Sequence, residues 1–518
     1  MKICVGILAL DGSSWRSLLR QIGVPCRLAE GRLALDHYSA VVVADDAGTE
    51  ALASAREYLR AGGALLCSGR IHALLTGTAA DCPSLGYLLQ DEPGGSFPGI
   101  GLVDISAPCA VPAGANCVRA ADGRPSVLIG SFGAGRIIAL PFDVPSLLGD
   151  RRCTYKSFWA DRRRLPFEYV SHVSRGGVRK LAARALELLH HQRGLPFLHL
   201  WHFPGDERSL FAFRIDTDHG TAQEIDSLAS LLRRHDIPAT WFVHVGAQQD
   251  LLPRFASLEG HEVGVHCFEH RAFSDAEGID RDLAKAEAAL RAAGIPFTGY
   301  AGPYGRWSMT LARALARHGF EYSSEFSYDY DNLPSFPERD GMAEPVLQVP
   351  VHPMSIGNLR RQGCTPAEMQ KYFAGAVDRM LGIGDPVFLY HHPKNLHPEV
   401  LGELFSRVRE EKIATILIGE YARWWKRRLS LSLDAETDGD LVRLSCDGAD
   451  GSMRCRMTRA DGTESWAPAG GAVDARSLAW SAVRKPVPLP KGVERTRKFN
   501  PWIPINRMED ALHRKLFS

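Results

Sequence analysis

Between residues 206 and 427 the chain alternates short apolar runs with amphipathic stretches, and that rhythm leaves few folds open. LFAFRID, PATWFVHVG, HEVGVH, PFTGYAG, EYSSEF, PVFLYHH and IATILIG read as buried strands. Between them IDSLASLLRRHDI, DRDLAKAEAALRAAGI, SMTLARALARHGF, PAEMQKYFAGAVDRMLGIG and PEVLGELFSRVREEK carry apolar residues at helical spacing. Strands joined through helices run parallel, so this many repeats predict an α/β fold with a distorted (β/α) barrel. Functional side chains of such a fold sit where the strands end, at the C-terminal rim.

The flanks differ. Residues 1–150 read as a smaller α/β unit, in which ICVGILAL, AVVVADD, ALLCSG and RIIALPF are buried parallel strands and TEALASAREYLRAGG is a helix closed by Gly62 and Gly63. Residues 151–205 are expected to connect the two units. Residues 428–483 change to period-two alternation between Asp/Gly turns, which predicts a small antiparallel β module. The tail 484–518 holds nine Lys/Arg against three Asp/Glu, with Trp502 among prolines.

Composition excludes several classes. Of the 518 residues, 61 are Lys or Arg and 60 Asp or Glu, so no global field points to nucleic acid. Eleven cysteines without a CxxC pair are too sparse for a disulfide scaffold. No run approaches the ~18 apolar residues of a membrane span. The opening MKICVGILALDG reads as a buried first strand, because Ser13, Ser14 and Arg16 come early and no Ala-x-Ala-like site follows. A cytoplasmic setting is expected.

Chemistry gathers at the barrel's strand ends. The first gives Asp216-Thr217-Asp218-His219-Gly220, where one carboxylate can bind a metal while the other serves as a base. The third gives His266 and His270, an i, i+4 pair able to chelate one ion. One carboxylate and two imidazoles leave coordination positions open, the mark of a catalytic site, and zinc, cobalt and iron tolerate such a set. GYAGPYGRW and FLYHHP close two later strands. A histidine across from a base carboxylate suits a general acid.

In order and spacing these elements resemble the polysaccharide deacetylase family, the NodB-homology domain of carbohydrate esterase family 4. Its first motif, Thr-Phe-Asp-Asp-Gly, corresponds to RIDTDHG, its second to His266-Cys267-Phe268-Glu269-His270, its third to Ala301-Gly302-Pro303-Tyr304 and its fifth to Leu389-Tyr390-His391 before His392-Pro393. The resemblance implies a NodB-type distorted barrel and metal-dependent removal of an N-acetyl group from a sugar of a bacterial glycan or glycan precursor. Asp218, His266 and His270 would hold one divalent ion, most simply zinc, with cobalt and iron as alternatives. Asp216 would be the base, and the Tyr304 backbone N–H would face the oxyanion. His391 or His392 would be the acid; relatives with a His before Pro favour His392, the Leu-x-His spacing favours His391. Residues 1–150 resemble, in strand order and in YLRAGGALLCSG and FGAGRIIALPFD, a flavodoxin-like, glutamine-amidotransferase-like domain, although Leu66 stands before Cys67 where its nucleophile turn needs Gly. Cys67 is therefore expected to be a buried, non-catalytic thiol.

The departures set further expectations. The family's third-motif Arg is Ala301 here, so Arg214 or Arg306 must steady Asp216; alternation puts Arg214 on its face. With Pro303 these are the expected substrate-side residues. The fourth motif is illegible, with Glu325, Asp329 and Asp331 in its region. His352 and His244 are candidates for the pocket wall, Trp241 for the core, His219 for a substitute ligand, and Tyr328 and Tyr330 for stacking on a sugar. The substrate would be an N-acetylated sugar, as a nucleotide sugar or a lipid-linked glycan, with peripheral contact to the inner membrane surface through 484–518. A deformylase or other C–N hydrolase of the same fold, and a non-catalytic glycan-binding protein, are the alternative readings.

Overall fold

The computed structural model describes residues 1–90, 94–339 and 341–508. Its central sheet is wholly parallel. The strands Leu210–Asp216, Ala239–His244, Glu262–Cys267, Gly299–Tyr300, Tyr322–Ser323 and Leu347–Gln348 follow one another across it. Val387–His391 and Ala414–Thr415 pair with the other edge of Leu210–Asp216. No strand ladder joins the two ends of the sheet among the described residues, but the His352 N–H donates to the Phe388 carbonyl at 2.8 Å and draws them together. The result is the expected distorted barrel.

Side-chain alternation divides that barrel into two layers. Phe211, Phe213 and Ile215 face the surrounding helices and join Trp241, Val265 and Leu389 in the outer core. Leu210 and Ala212 face inward and join Phe242, Tyr322 and Tyr390. Arg214 and Asp216 share that inward register. Full burial of each large apolar side chain contributes about 1.5–3 kcal/mol. Helix starts follow local chemistry: Thr221 and Glu224, and Thr365 and Glu368, form reciprocal capping boxes.

The first unit has five parallel strands in the order Cys26–Leu28, Val5–Leu8, Ala40–Val43, Ala64–Ser68, Gly135–Leu140. This is the flavodoxin-like order 2-1-3-4-5. Antiparallel strands Pro125–Phe132, Cys117–Ala120, Ser84–Gln90 and Gly101–Pro108 extend it. Cys67 lies inside the strand Ala64–Ser68 at 3% exposure, and burial pushes its thiol up.

Residues 151–205 do more than connect. A hairpin of Cys153–Ser157 and Phe167–Ser171 leads to the helix Arg175–Gln192, whose Val178, Leu181, Ala185 and Leu189 lie in the first unit's core. The strand Phe197–Leu200 pairs antiparallel with Arg454–Thr458 of the β module. That module's alternation appears as strictly alternating burial along Leu433–Asp438. The tail is held to the protein's own surface as far as Arg507: Arg497 pairs with buried Asp104, Trp502 lies under Arg164 at 3.9 Å, and Arg507 lies over Tyr155. The last ten residues of the 484–518 tail lie outside the described residues. Among the described residues no helix is long and apolar enough to cross a membrane.

Arg428 pins three units together. It is 1% exposed and donates to the carbonyls of Arg20, Gln21 and Ile22, which end a helix of the first unit, and to those of Leu200 and Trp201. Carbonyls at a helix C-terminus lack intrahelical donors and favour a cation. Replacing Arg428 by Met orphans them, so we expect a loss of about 3 kcal/mol or more, read as a lower urea midpoint of the first unfolding transition.

Candidate active site

The loop after the strand Leu210–Asp216 is fixed from within. Thr217 donates its hydroxyl to Gln248 Oε1 at 2.5 Å and accepts the His244 N–H at 2.9 Å, while Gln248 Nε2 donates to the Gly220 carbonyl at 2.9 Å. His244 Nδ1 donates to the Asp218 carbonyl at 2.7 Å. These bonds hold Asp218 at φ +43°, a left-handed conformation that costs energy for a non-glycine residue and turns its carboxylate into the site.

There Asp218 meets both histidines. Its Oδ1 is 3.4 Å from His266 Nε2 and 3.2 Å from His270 Nε2, and one ligand atom from each of the three residues lies within 4.8 Å of the others. The Nδ1 of His266 donates to the Ala301 carbonyl at 2.5 Å, which fixes the tautomer and aims Nε2 inward. That Nε2 is buried without a hydrogen-bond partner. Burial opposes charge on Asp218, but the neighbouring imidazoles of His266 and His270 outweigh it and hold the carboxyl well below the usual range. A buried donor atom with no partner, a second imidazole and an ionised carboxylate suit a divalent ion with open positions.

Asp216 is held by Arg214. The guanidinium donates from Nε to Oδ1 and from a terminal nitrogen to Oδ2, both at 2.7 Å. Arg214 is fully buried, and it also donates to Ser324. Phe326, Phe242 and Tyr390 surround its guanidinium at 5.1, 5.5 and 5.7 Å. Of the two arginines expected to steady Asp216, Arg214 does so. Arg306 instead lies over the ring of Tyr169 at 3.5 Å. Ala301, where the family has Arg, contributes its carbonyl to His266.

His392 and His391 separate by alternation. His392 Nε2 is 3.6 Å from Asp218 Oδ2, inside the site. His391 points to the outer core, stacked on Phe213 at 6.1 Å, with neither ring nitrogen hydrogen-bonded among the described residues and burial pulling it down to about 3. Of the two histidines offered for the acid role, His391 is therefore the one turned away from the site: the same alternation that puts Phe213 outside puts His391 there. Tyr304 adopts φ +59° and sets its ring 4.9 Å from that of His270; Pro303 is buried at the start of that turn.

Several other candidates have structural partners. Glu325 accepts from the Gly302 N–H and from Gln348. Asp331 accepts from the N–H groups of Gly176 and Gly177 in the first turn of the helix Arg175–Gln192, and Asp329 accepts from Asn332, so neither supports the acid histidine. Tyr328 packs on Trp307 and under Arg175, and Tyr330 bonds Lys156 and Ser174, so neither is open to a sugar. His352 bonds the Tyr372 hydroxyl, and Trp241 is core. His244 does line the site, with its ring 5.4 Å from His270, and exposed His219 lies 5.7 Å from His270. Sequence reasoning missed Lys394, whose Nζ is 3.4 Å from Asp218 Oδ2. Its only sequence signal was its place after His392-Pro393.

Residues 215–323 match the family model described as polysaccharide deacetylase. Among solved structures, a Mycobacterium smegmatis protein described as a polysaccharide deacetylase is 19% identical, over 43% of this chain and 92% of its own, at TM-score 0.38. A Pseudomonas aeruginosa protein described in the same way is 18% identical, over 44% of this chain and 93% of its own, at TM-score 0.38. A CE4 family pseudoenzyme from Bacillus anthracis is 14% identical, over 42% of this chain and 66% of its own, at TM-score 0.30.

The Lys394 ammonium occupies the side of Asp218 from which a cation would be repelled. Replacing it by Met is expected to tighten divalent-ion binding about fivefold, the ~1 kcal/mol of one partly exposed charge. Competition against a chelating dye reads the change directly.

Proposed function

We propose, starting from the polysaccharide deacetylase domain at 215–323, that the protein hydrolyses the acetamide of an N-acetylated sugar in a glycan or glycan precursor. The observation that carries this reading is the pairing of Arg214 with Asp216 beside the Asp218, His266 and His270 set, with His392 at the same carboxylate. Asp218, His266 and His270 would hold one divalent ion, zinc by preference, which when bound supplies Lewis acidity for an acyl carbonyl.

The chain's own groups do the rest. Asp216 accepts the proton of the attacking water. Both its oxygens are held by Arg214, so the carboxylate is oriented before substrate arrives and keeps lone pairs for that proton. The Tyr304 N–H, presented by a left-handed turn, donates to the developing oxyanion. His392 gives a proton to the departing amine. The buried inner layer around Arg214 limits water at the base and strengthens each of these interactions.

Purified protein supplied with zinc or cobalt is expected to release acetate from N-acetylated sugar oligomers. Asp216→Asn should lower kcat by about 10²–10⁴-fold, the usual contribution of a general base, while metal content stays at the wild-type level. His392→Ala should fall in the same range, and His391→Phe should retain activity. Formate release without acetate would favour the deformylase reading. Glycan binding with neither product would favour the non-catalytic one.

A further inference from the structure

The hairpin Cys153–Ser157/Phe167–Ser171 precedes the barrel in sequence, yet it is built into the wall of the site. Alternation gives it two faces. On the inner face Lys156 stands opposite Glu168. Lys156 Nζ is 2.8 Å from buried Asp104 and 3.2 Å from the Tyr330 hydroxyl. Glu168 accepts from Asn358 Nδ2 at 2.8 Å, Asn358 Oδ1 accepts the Tyr390 hydroxyl at 3.0 Å, and the Tyr390 ring is 5.4 Å from that of His392. The Ser171 N–H donates to the Phe326 carbonyl, next to the aromatic cage of Arg214. The hairpin is therefore tied to the elements that carry the acid and the base.

The outer face carries three half-buried aromatic residues, Tyr155, Phe167 and Tyr169. Tyr155 lies 6.1 Å from Phe167 and 5.1 Å from Tyr169, centroid to centroid, in edge-to-face pairs. Arg306 is held over Tyr169 at 3.5 Å and Arg507 over Tyr155 at 5.4 Å. Arg306 is two residues from Tyr304, which is 53% exposed and packs on His270. A strip of rings and guanidinium groups thus runs outward from the candidate metal ligands. Of the hairpin's two acids, Asp161 in its loop pairs with Lys371, and Glu168 is on the opposite face of the strands, where it feels the charge of Arg306 without an ion-pair contact; among the described residues no carboxylate forms an ion pair with Arg306.

Aromatic side chains accept the apolar faces of sugar rings while their polar edges stay wet. A guanidinium stacked on an aromatic ring keeps its donor fork free for a carboxylate, which it binds bidentately. We propose that the strip Tyr304, Arg306, Tyr169, Tyr155 and Phe167 is a glycan subsite that takes an extended sugar chain bearing carboxylate groups, with Arg306 reading the charge nearest the reacting sugar. The proposal deepens the deacetylase reading and rests on it for the identity of the reacting sugar.

The test uses two N-acetylated hexasaccharides, neutral chitohexaose and anionic hyaluronan hexasaccharide, in calorimetric titrations of the full chain, with acetate release followed in parallel. Wild type is expected to bind the anionic chain about tenfold more tightly, one charge-assisted bidentate pair. Arg306→Gln and Tyr169→Ala should erase that preference, Tyr169→Phe should keep it, and Phe167→Ala should weaken both chains. Equal binding of the two chains by wild type, or a preference that survives Arg306→Gln, overturns the subsite. Acetate release from single N-acetylated sugars without binding of either chain overturns the subsite and leaves the deacetylase reading standing. A preference that follows the variants as expected, with no acetate from any substrate, supports the subsite and removes the deacetylase reading.

Discussion

The buried pair of Arg214 and Asp216 constrains everything around it. A guanidinium with no solvent exposure is tolerated only where its donors are satisfied and its charge is matched. Here one carboxylate, the Ser324 carbonyl and hydroxyl, and three aromatic rings meet that requirement. Removing one partner of such a pair costs about 3–5 kcal/mol, because the other is left charged and unmatched. The interior of the barrel is thus built around an ion pair whose acidic member faces the rim where the imidazoles converge. Stability and orientation of Asp216 come from the same contacts.

Ala301 shows how that arrangement differs from the pattern the sequence resembles. There the stabilising Arg follows a middle strand; here it is two residues before the carboxylate, on the same strand. Ala301 still has a role. Its carbonyl receives the His266 Nδ1 proton and so decides which nitrogen of that ring faces Asp218. The charge that steadies Asp216 comes from its own strand, and the Ala301 backbone orients a candidate ligand.

Much of this was legible from period and spacing. The strand–helix rhythm of 206–427 is the barrel, and the ends of its strands carry Asp216, Asp218, His266, His270 and His392. Period-two alternation also placed Arg214 beside Asp216. What the sequence left open needed three dimensions. His391 and His392 are adjacent in sequence, and only the register against Phe213 shows which one points outward. Tyr328, Tyr330 and Asp331 have a composition that suits a polar site, but the segment 151–205 folds back and uses them for packing and for a helix start, while Asp329 braces its own loop. The partners of Lys394 and Arg306, Asp218 and Tyr169, are far away in the chain, so spacing could not show that Lys394 reaches the site or that Arg306 stacks on the hairpin instead of holding Asp216.

Asp218, His266 and His270 would form one coordination sphere. X-ray absorption of the cobalt-loaded full chain measures that sphere directly. Two imidazole scatterers with oxygen completing the shell are expected, and one imidazole in the His270→Ala variant. A single imidazole in wild type, a sulfur scatterer, or a spectrum unchanged by His270→Ala would contradict it.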